Sequence, residues 1–139
     1  MILVLWRLLR LKVRVCRDAC VESMAIANTG FIGLEPEILI PQVVLESIVS
    51  GSVTLDVVER VLADGTRVTL RRMVEPVDVT VVEDDRVVGP VKARAIISRR
   101  GPLILNDKLL DELRVVILSP GRGLWCFIDE INVRVRRSH

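Results

Sequence analysis

Short apolar runs with alternating polar residues dominate this chain and predict β-strands. Val77, Val79 and Val81 alternate with polar positions, and residues 91–97 repeat the pattern after an acidic turn at 83–85. A period of two is that of a strand with one buried face. Similar runs, separated by turn residues, predict further strands and hairpins over residues 12–15, 21–27, 53–57, 115–118, 124–128 and 132–137. We therefore expect an all-β fold.

Helical spacing occurs in two short segments. Pro41 precedes a pattern in which Val44, Leu45 and Ile48 share one face, and residues 107–113 contain leucines at helical spacing. The Asn at position 106 is suited to cap the second segment. One short helix in the C-terminal half is thus expected beside the strands.

Length and charge limit the class of protein. The chain has 139 residues and a net charge of +2, with 20 Lys and Arg against 18 Asp and Glu. The length fits one domain over residues 1–139, and the balanced charge gives no compositional indication of a nucleic-acid partner. The basic residues are nearly all Arg and amides are few, which is compatible with a heat-adapted source.

Residues 1–11 (MILVLWRLLRL) are rich in apolar side chains, but two arginines interrupt them and no small-residue cleavage site follows. The segment is too short to span a bilayer. We expect a first strand that buries its apolar side chains in the domain or a partner subunit, with membrane association as the lesser alternative. The expected location is cytoplasmic, with no membrane partner.

Cys16, Cys20 and Cys126 are the three cysteines. The gap between the first two, with no second pair and no nearby histidine, does not suit zinc, so we expect free thiols, no metal and no cofactor. A disulfide between Cys16 and Cys20 is the alternative for a hyperthermophilic source. His139 is the one histidine and the last residue, which leaves a serine or cysteine triad without an internal base.

The most informative motif is Asn28-Thr29-Gly30, which follows the apolar strand over residues 21–27. It resembles the Asp-Thr-Gly turn of retropepsin-like aspartic peptidases, with an amide in place of the catalytic aspartate. The next residues, Phe31-Ile32-Gly33, also match the family, in which an aromatic or small residue precedes a glycine.

Two later segments follow in the order of the same family. Ala63-Asp64-Gly65-Thr66 resembles the flap hairpin, since Asp-Gly favours a tight primed turn. Residues 101–110 are similar to the family's Pro, two apolar residues and Gly that precede a Leu-Leu helix, with Asn106 after Leu105 where Gly is usual. The resemblance covers residues 10–128.

The resemblance implies a closed, mainly antiparallel barrel with one short helix. Because the chain carries a single Thr-Gly turn of this kind, the family site requires two copies, and a two-fold homodimer is implied. The flap residues 63–66, with Leu105 and Asn106, are then expected to contact an extended peptide or protein segment in a cleft floored by Asn28.

The family's chemistry uses two carboxylates that share one proton, one acting as base on a water molecule. Asn28 accepts no proton from water near neutral pH. Whether this chain is an enzyme therefore depends on that residue, and we expect a pseudoenzyme without hydrolase activity. The amide is nearly isosteric with a carboxylate, so turn and dimer can persist. Asp64 and Asp107 are explained by a hairpin tip and a helix N-terminus rather than by catalysis.

Two alternatives remain at this level. The chain is a genuine aspartic endopeptidase if the Asn at position 28 is an engineered replacement. The other alternative is a small β-barrel that binds nucleic acid through Arg134, Arg136 and Arg137. Alternating arginines more often form a solvated strand face, however. We do not expect nucleic-acid binding.

Overall fold

A computed structural model of the protein describes residues 9–27, 33–61 and 64–139. These residues form strands, two α-helices and a 3-10 helix at Ile128–Glu130. The strands are β1 (Arg10–Cys16), β2 (Cys20–Ala27), β3 (Glu37–Pro41), β4 (Leu55–Val61), β5 (Arg67–Met73), β6 (Val77–Val82), β7 (Val87–Ser98), β8 (Leu103–Leu105), β9 (Val115–Ser119), β10 (Leu124–Phe127) and β11 (Arg136–Arg137), and the helices are α1 (Gln42–Ile48) and α2 (Asp107–Glu112).

Six strands close a barrel in the order β3, β8, β2, β1, β6 and β7, and β7 pairs back onto β3. Neighbours are antiparallel except for β2 with β8 and β3 with β7. The 12 residues of β7 serve several partners, because its first half pairs with β6 and its second half with β3 and β5. The expected all-β fold with a closed, mainly antiparallel barrel is confirmed.

The alternating patterns fill the barrel as expected. Every second residue of β1 is buried, and the valines of β6 that the pattern selected are fully buried. Burying a Val or Leu side chain stabilises a fold by about 1.5–3 kcal/mol, so the strands contribute mainly through this one face. The core includes Leu11, Val13, Val15, Ile38, Ile40, Val77, Val79, Val81, Ala95, Leu103 and Leu105.

Both helices are short, and each packs against strands of the barrel. Helix α1 starts directly after Pro41 and buries Leu45 and Ile48, two of the three residues that helical spacing placed on one face. The carbonyl of Ile48 accepts hydrogen bonds from the backbone N–H groups of Asp18 and Ala19, which fixes the turn between β1 and β2. Helix α2 is the expected helix of the C-terminal half, capped by Asn106.

Strands β9, β10 and β11 form a second sheet, and Arg136 in β11 differs from the expectation of a solvated strand face, whereas Arg134 and Arg137 are exposed. The side chain of Arg136 is only 4% exposed, donates to Glu130 at 2.7 Å and to Asp85 at 2.8 Å, and lies 5.0 Å from the centroid of the Phe127 ring. The hydrogen bond from Arg136 lowers the pKa of Glu130 to about 2. Of the predicted strand 132–137, only β11 forms, because the chain turns after Glu130: its carbonyl accepts from the N–H groups of Val133 and Arg134, and Asn132 has φ of 65°.

Cys16 and Cys20 form a disulfide, so the expectation of free thiols is wrong for this pair. The two residues face each other in the register of the β1–β2 hairpin, with Cα atoms 4.1 Å apart. Cys126 is free and buried, and burial raises the pKa of its thiol.

Candidate functional site

Strand β8 lies between β2 and β3 and joins two motif segments that are far apart in sequence. It runs parallel to β2, with Ala27 opposite Leu105, and antiparallel to β3, with Ile38 opposite Leu105. Ala27 and Leu105 directly precede Asn28 and Asn106. Asn28, Thr29 and Gly30 lie outside the described residues, but the strand that leads into them ends beside the start of α2.

Asn106 is fully buried and holds this junction together. Its side-chain oxygen accepts hydrogen bonds from the backbone N–H groups of Leu109 and Glu37, both at 2.9 Å, and its amide nitrogen donates to the carbonyl of Glu35 at 2.9 Å. Its backbone N–H also donates to the carbonyl of Glu37. An amide at this position therefore caps α2 and joins it to β3, which a glycine could not do.

Leu105 and Asn106 were expected to contact a substrate, and both side chains are fully buried. Leu105 belongs to the barrel core, and the hydrogen bonds of Asn106 are directed at backbone groups. Their contact with a substrate stays a prediction. The structure gives each of them a role in the fold.

Gly33 approaches this junction closely from the other side. A Cβ atom at this position would lie 2.6 Å from Oε1 of Glu37 and 2.7 Å from Nδ2 of Asn106. The backbone N–H of Gly33 donates to the Asp107 carboxylate at 3.2 Å. Asp107 thus fixes the chain just after residues 28–32, in agreement with a structural rather than a catalytic part for this carboxylate.

Strands β4 and β5 form the expected hairpin, with Val61 opposite Arg67 at its far end. Asp64, Gly65 and Thr66 are exposed at the tip, and Ala63 lies outside the described residues. The Asp64 carboxylate accepts from the Thr66 N–H at 2.9 Å, and hydrogen bonds from the Thr66 hydroxyl and N–H lower the pKa of Asp64. Gly65 has φ of 87°, as a tight turn requires.

Ion pairs that the sequence did not reveal connect the hairpin, near its tip and near its base, to β3 and to the segment just before it. Arg60 donates to the buried carboxylate of Glu37 at 2.6 Å, and Arg72 lies 3.2 Å from Glu35. Arg72 also donates to both oxygens of Asp56 across the hairpin, at 3.1 and 2.9 Å. This hydrogen bonding lowers the pKa of Asp56 and raises that of Arg72.

A cavity of about 540 Å³ lies between the hairpin and β3. Among the described residues its wall consists of Gly33, Leu34, Glu35, Glu37, Arg60 and Arg72. The tip residues Asp64, Gly65 and Thr66 are not part of this wall, so the structure does not bring them together with it.

The sequence contains little that predicts the charged residues of the cavity wall. Glu35 and Glu37 are two positions apart and therefore on one face of an extended segment, but residues 35–37 read as a polar lead into an apolar run. Arg60 stands 23 residues from its partner Glu37. Only the fold brings the two together.

No protein-family model matches the chain, and no curated protein is significantly similar to it. The site must therefore be judged on its own geometry. Within the described ranges, no helix is long and apolar enough to cross a membrane. The same ranges hold no cluster of three or more His, Cys, Asp and Glu side chains placed to bind a metal ion.

Proposed function

We propose that this protein is a homodimeric, retropepsin-like aspartic peptidase homologue that lacks proteolytic activity and binds an extended peptide or protein segment. Asn28 occupies the place of the catalytic aspartate. The peptide lies between β3 and the β4–β5 hairpin.

The observation that carries the proposal is the position of β8 between β2 and β3. The family resemblance needs the Asn28 turn and the segment that ends in Leu105 and Asn106 to belong to one site. Ala27 pairs with Leu105, so the strands that precede Asn28 and Asn106 end side by side although more than seventy residues separate them. A chance Asn-Thr-Gly turn in an unrelated barrel would require no such neighbour.

The hairpin supports the peptide-binding part of the proposal. It extends from the barrel through only two residue pairs with β7, Arg71 with Ile97 and Arg72 with Ile96, and covers an open cavity. A peptide in the cleft could hydrogen-bond to main-chain groups of the hairpin and place alternate side chains on either side, as strands do.

The chemistry of an amide supports the absence of catalysis. Peptide hydrolysis by this family requires a base for the attacking water and a shared proton between two carboxylates. Two facing Asn28 side chains would supply neither. They would also remove the repulsion between two like charges at the two-fold axis, which favours the dimer.

The test is to restore the carboxylate and to measure both cleavage and assembly. The unaltered protein should leave a denatured protein substrate intact at acid and neutral pH, whereas Asn28→Asp should cleave it and be inhibited by a transition-state mimic with a central hydroxyl. Asn132→Asp, which adds the same charge at an exposed turn, is the matched control and should stay inactive.

Sedimentation should give a dimer for all three proteins. A monomer, or cleavage by the unaltered protein that persists in Asn28→Ala, would overturn the proposal. The residue encoded at position 28 in the native gene decides whether the amide is natural or an engineered replacement in an active peptidase.

A further inference from the structure

Strand β4 has one free edge. It is the last strand of the eight-stranded sheet, and among the described residues β5 is its sole neighbour. Its seven residues pair with β5 without a bulge and include no proline. Proteins commonly protect such an edge with a short strand, a proline or a bulge, because its unpaired N–H and C=O groups bind other strands. Strand β4 carries charged side chains but none of these three devices.

The hydrogen bonds to β5 identify the backbone groups of β4 that are free. The N–H of Val74 donates to the carbonyl of Thr54 at 2.9 Å, and this pair continues the register of the hairpin. Bonded and non-bonded pairs alternate in an antiparallel ladder, so the even positions of β4 direct their backbone groups at β5. The odd positions, 55 to 61, direct theirs outward. Within the described residues, the one partner of these outward groups is the side chain of Arg60, 3.5 Å from the carbonyl of Glu59.

The side chains of β4 divide between two faces. Arg60 lines the cavity, and the period of two places Asp56 and Val58 on the same face. The other face is exposed and consists of Leu55, Val57, Glu59 and Val61. Val57 and Val61 are 65% and 64% exposed. The free edge therefore borders a largely apolar exposed face.

A second copy of β4 fits this edge in one register. Outward positions must meet outward positions, which allows only antiparallel registers that pair odd residues with odd residues. With Val58 on a two-fold axis, all seven residues pair, and Asp56 lies opposite the partner's Arg60 on both sides of the axis. With Val57 on the axis, five residues pair and no opposite charges meet. With Glu59 on the axis, five residues pair and the two Glu59 carboxylates face each other, which is unfavourable.

The two charged groups remain available for this contact. The side chains of Asp56 and Arg60 are 41% and 31% exposed. Within one chain Asp56 pairs with Arg72, and Arg60 pairs with Glu37. Across the axis the groups would follow one another as Arg72, Asp56, the partner's Arg60 and the partner's Glu37. The sign of the charge alternates along this series, so each group keeps its own partner and gains a second of opposite sign.

We propose that the free edge of β4 pairs antiparallel with the same edge of a second copy, about a two-fold axis at Val58. The contact is isologous and joins two sheets into one. It does not involve the Asn28 turn and is independent of the proposed function. Seven residue pairs make a small interface, so we expect association at about 0.1–1 mM and a free edge at micromolar concentration.

The first experiment changes the charge at Val57, which lies opposite the partner's Glu59 in this register. In sedimentation equilibrium, Val57→Glu should weaken association about tenfold and Val57→Lys should strengthen it about tenfold. Within one chain Val57 lies opposite Arg71, so an effect confined to the hairpin would run in the reverse order. Val133→Glu and Val133→Lys change an exposed residue outside the strands and should leave association unaltered.

The concentration dependence separates this contact from the dimer of the proposed function. A dimer that persists at micromolar concentration and in Val57→Glu belongs to the Asn28 axis, and the β4 edge should then double its mass near millimolar concentration. If no such dimer exists, the edge should convert monomer to dimer in the same range. An unaltered protein whose mass does not rise with concentration overturns the inference, as does an equal effect of Glu and Lys at position 57.

The second experiment tests the register by crosslinking. The two Val58 residues would form a non-hydrogen-bonded pair with Cα atoms about 4.5 Å apart, within the range of a disulfide. With oxidised glutathione, Val58→Cys should yield a crosslinked dimer. Val57→Cys should crosslink much more slowly, because the two positions are then diagonal to each other. Faster crosslinking of Val57→Cys would overturn the register.

Hydrogen exchange decides whether another chain occupies the edge. Raising the protein concentration from micromolar to millimolar should slow amide exchange at the odd positions of β4, whereas the even positions are protected by β5 throughout. This alternation would support pairing between two copies. If the odd positions gain protection only when an extended Val-Thr peptide is added, the edge accepts a foreign strand and the proposal is overturned.

Discussion

Replacing Asn106 should damage the junction between β3, β8 and α2 more than an ordinary loss of a helix cap. In Asn106→Ala, three backbone groups lose their partners: the buried N–H groups of Glu37 and Leu109 and the partly buried carbonyl of Glu35. An unsatisfied buried polar group costs about 1–3 kcal/mol, and entering water recovers part of that. We expect the free energy of unfolding to fall by about 3–5 kcal/mol, a large fraction of the stability of a typical domain.

Asn106→Ser separates the contribution of the α2 cap from that of the hydrogen bonds to β3 and Glu35. A serine hydroxyl can still accept from the N–H of Leu109 and cap α2, but it is too short to bridge to β3. We expect a loss of about 2 kcal/mol, between the unaltered protein and the alanine variant. Urea unfolding followed by circular dichroism and by tryptophan fluorescence measures both values and tests for two-state behaviour.

Two results would refute the reasoning about Asn106. A loss below about 1 kcal/mol in Asn106→Ala would show that its hydrogen bonds to β3 are replaced without difficulty. Equal losses in the alanine and serine variants would show that capping of α2 contributes nothing.

Three further variants test other features by the same unfolding assay. Gly33→Ala places a Cβ 2.6 Å from a Glu37 oxygen, so a loss of about 1–3 kcal/mol is expected, and unchanged stability would show that the contact relaxes freely. The folded-state pKa of Glu130 is lowered from 4.5 to about 2, so its stabilising effect is present above 4.5 and disappears as the pH falls towards 2. Arg136→Met should be less stable at neutral pH and should lose less stability on acidification. If its stability falls with pH as that of the unaltered protein does, the ion pairs of Arg136 do not contribute as argued. Serine at both Cys16 and Cys20 should cost about 2 kcal/mol, and a reductant should then have no effect on the variant but destabilise the unaltered protein.

Features set by local spacing were predictable from the sequence. The alternation in β6 and in the second half of β7 marks the buried face directly, and a turn signal lies between these strands. The cap of α2 follows from Asn106 and the leucine spacing. In each case the residues that decide the structure lie within a few positions of one another.

Features that depend on distant partners were not predictable in this way. An arginine in an alternating segment suggests an exposed face, and Arg136 is buried only because Asp85 and Glu130 come from other parts of the fold. Glu37 likewise precedes an apolar run without any local sign that Arg60 will reach it. The cavity wall is built from such pairs, so a motif search finds the Asn28 turn and misses the wall.

The disulfide is an intermediate case. Cys16 and Cys20 flank a turn, and once the hairpin register is fixed they face each other. The gap of three residues is visible in the sequence, but the odd number of cysteines and the lack of zinc-site partners favoured free thiols. A geometric test of the predicted hairpin would have favoured the bond.

The barrel ring closes through β3 and β7 without any contribution from β4 or β5. The hairpin is therefore an addition to a framework that is already complete, and among its described residues only Met73 at its base belongs to the core. Under the proposed function, sequence changes along the hairpin would alter which peptides the cleft accepts while the ring keeps its own register. Peptide recognition, as proposed, would then be separable from folding, because the residues that select a partner lie outside the closed ring of strands.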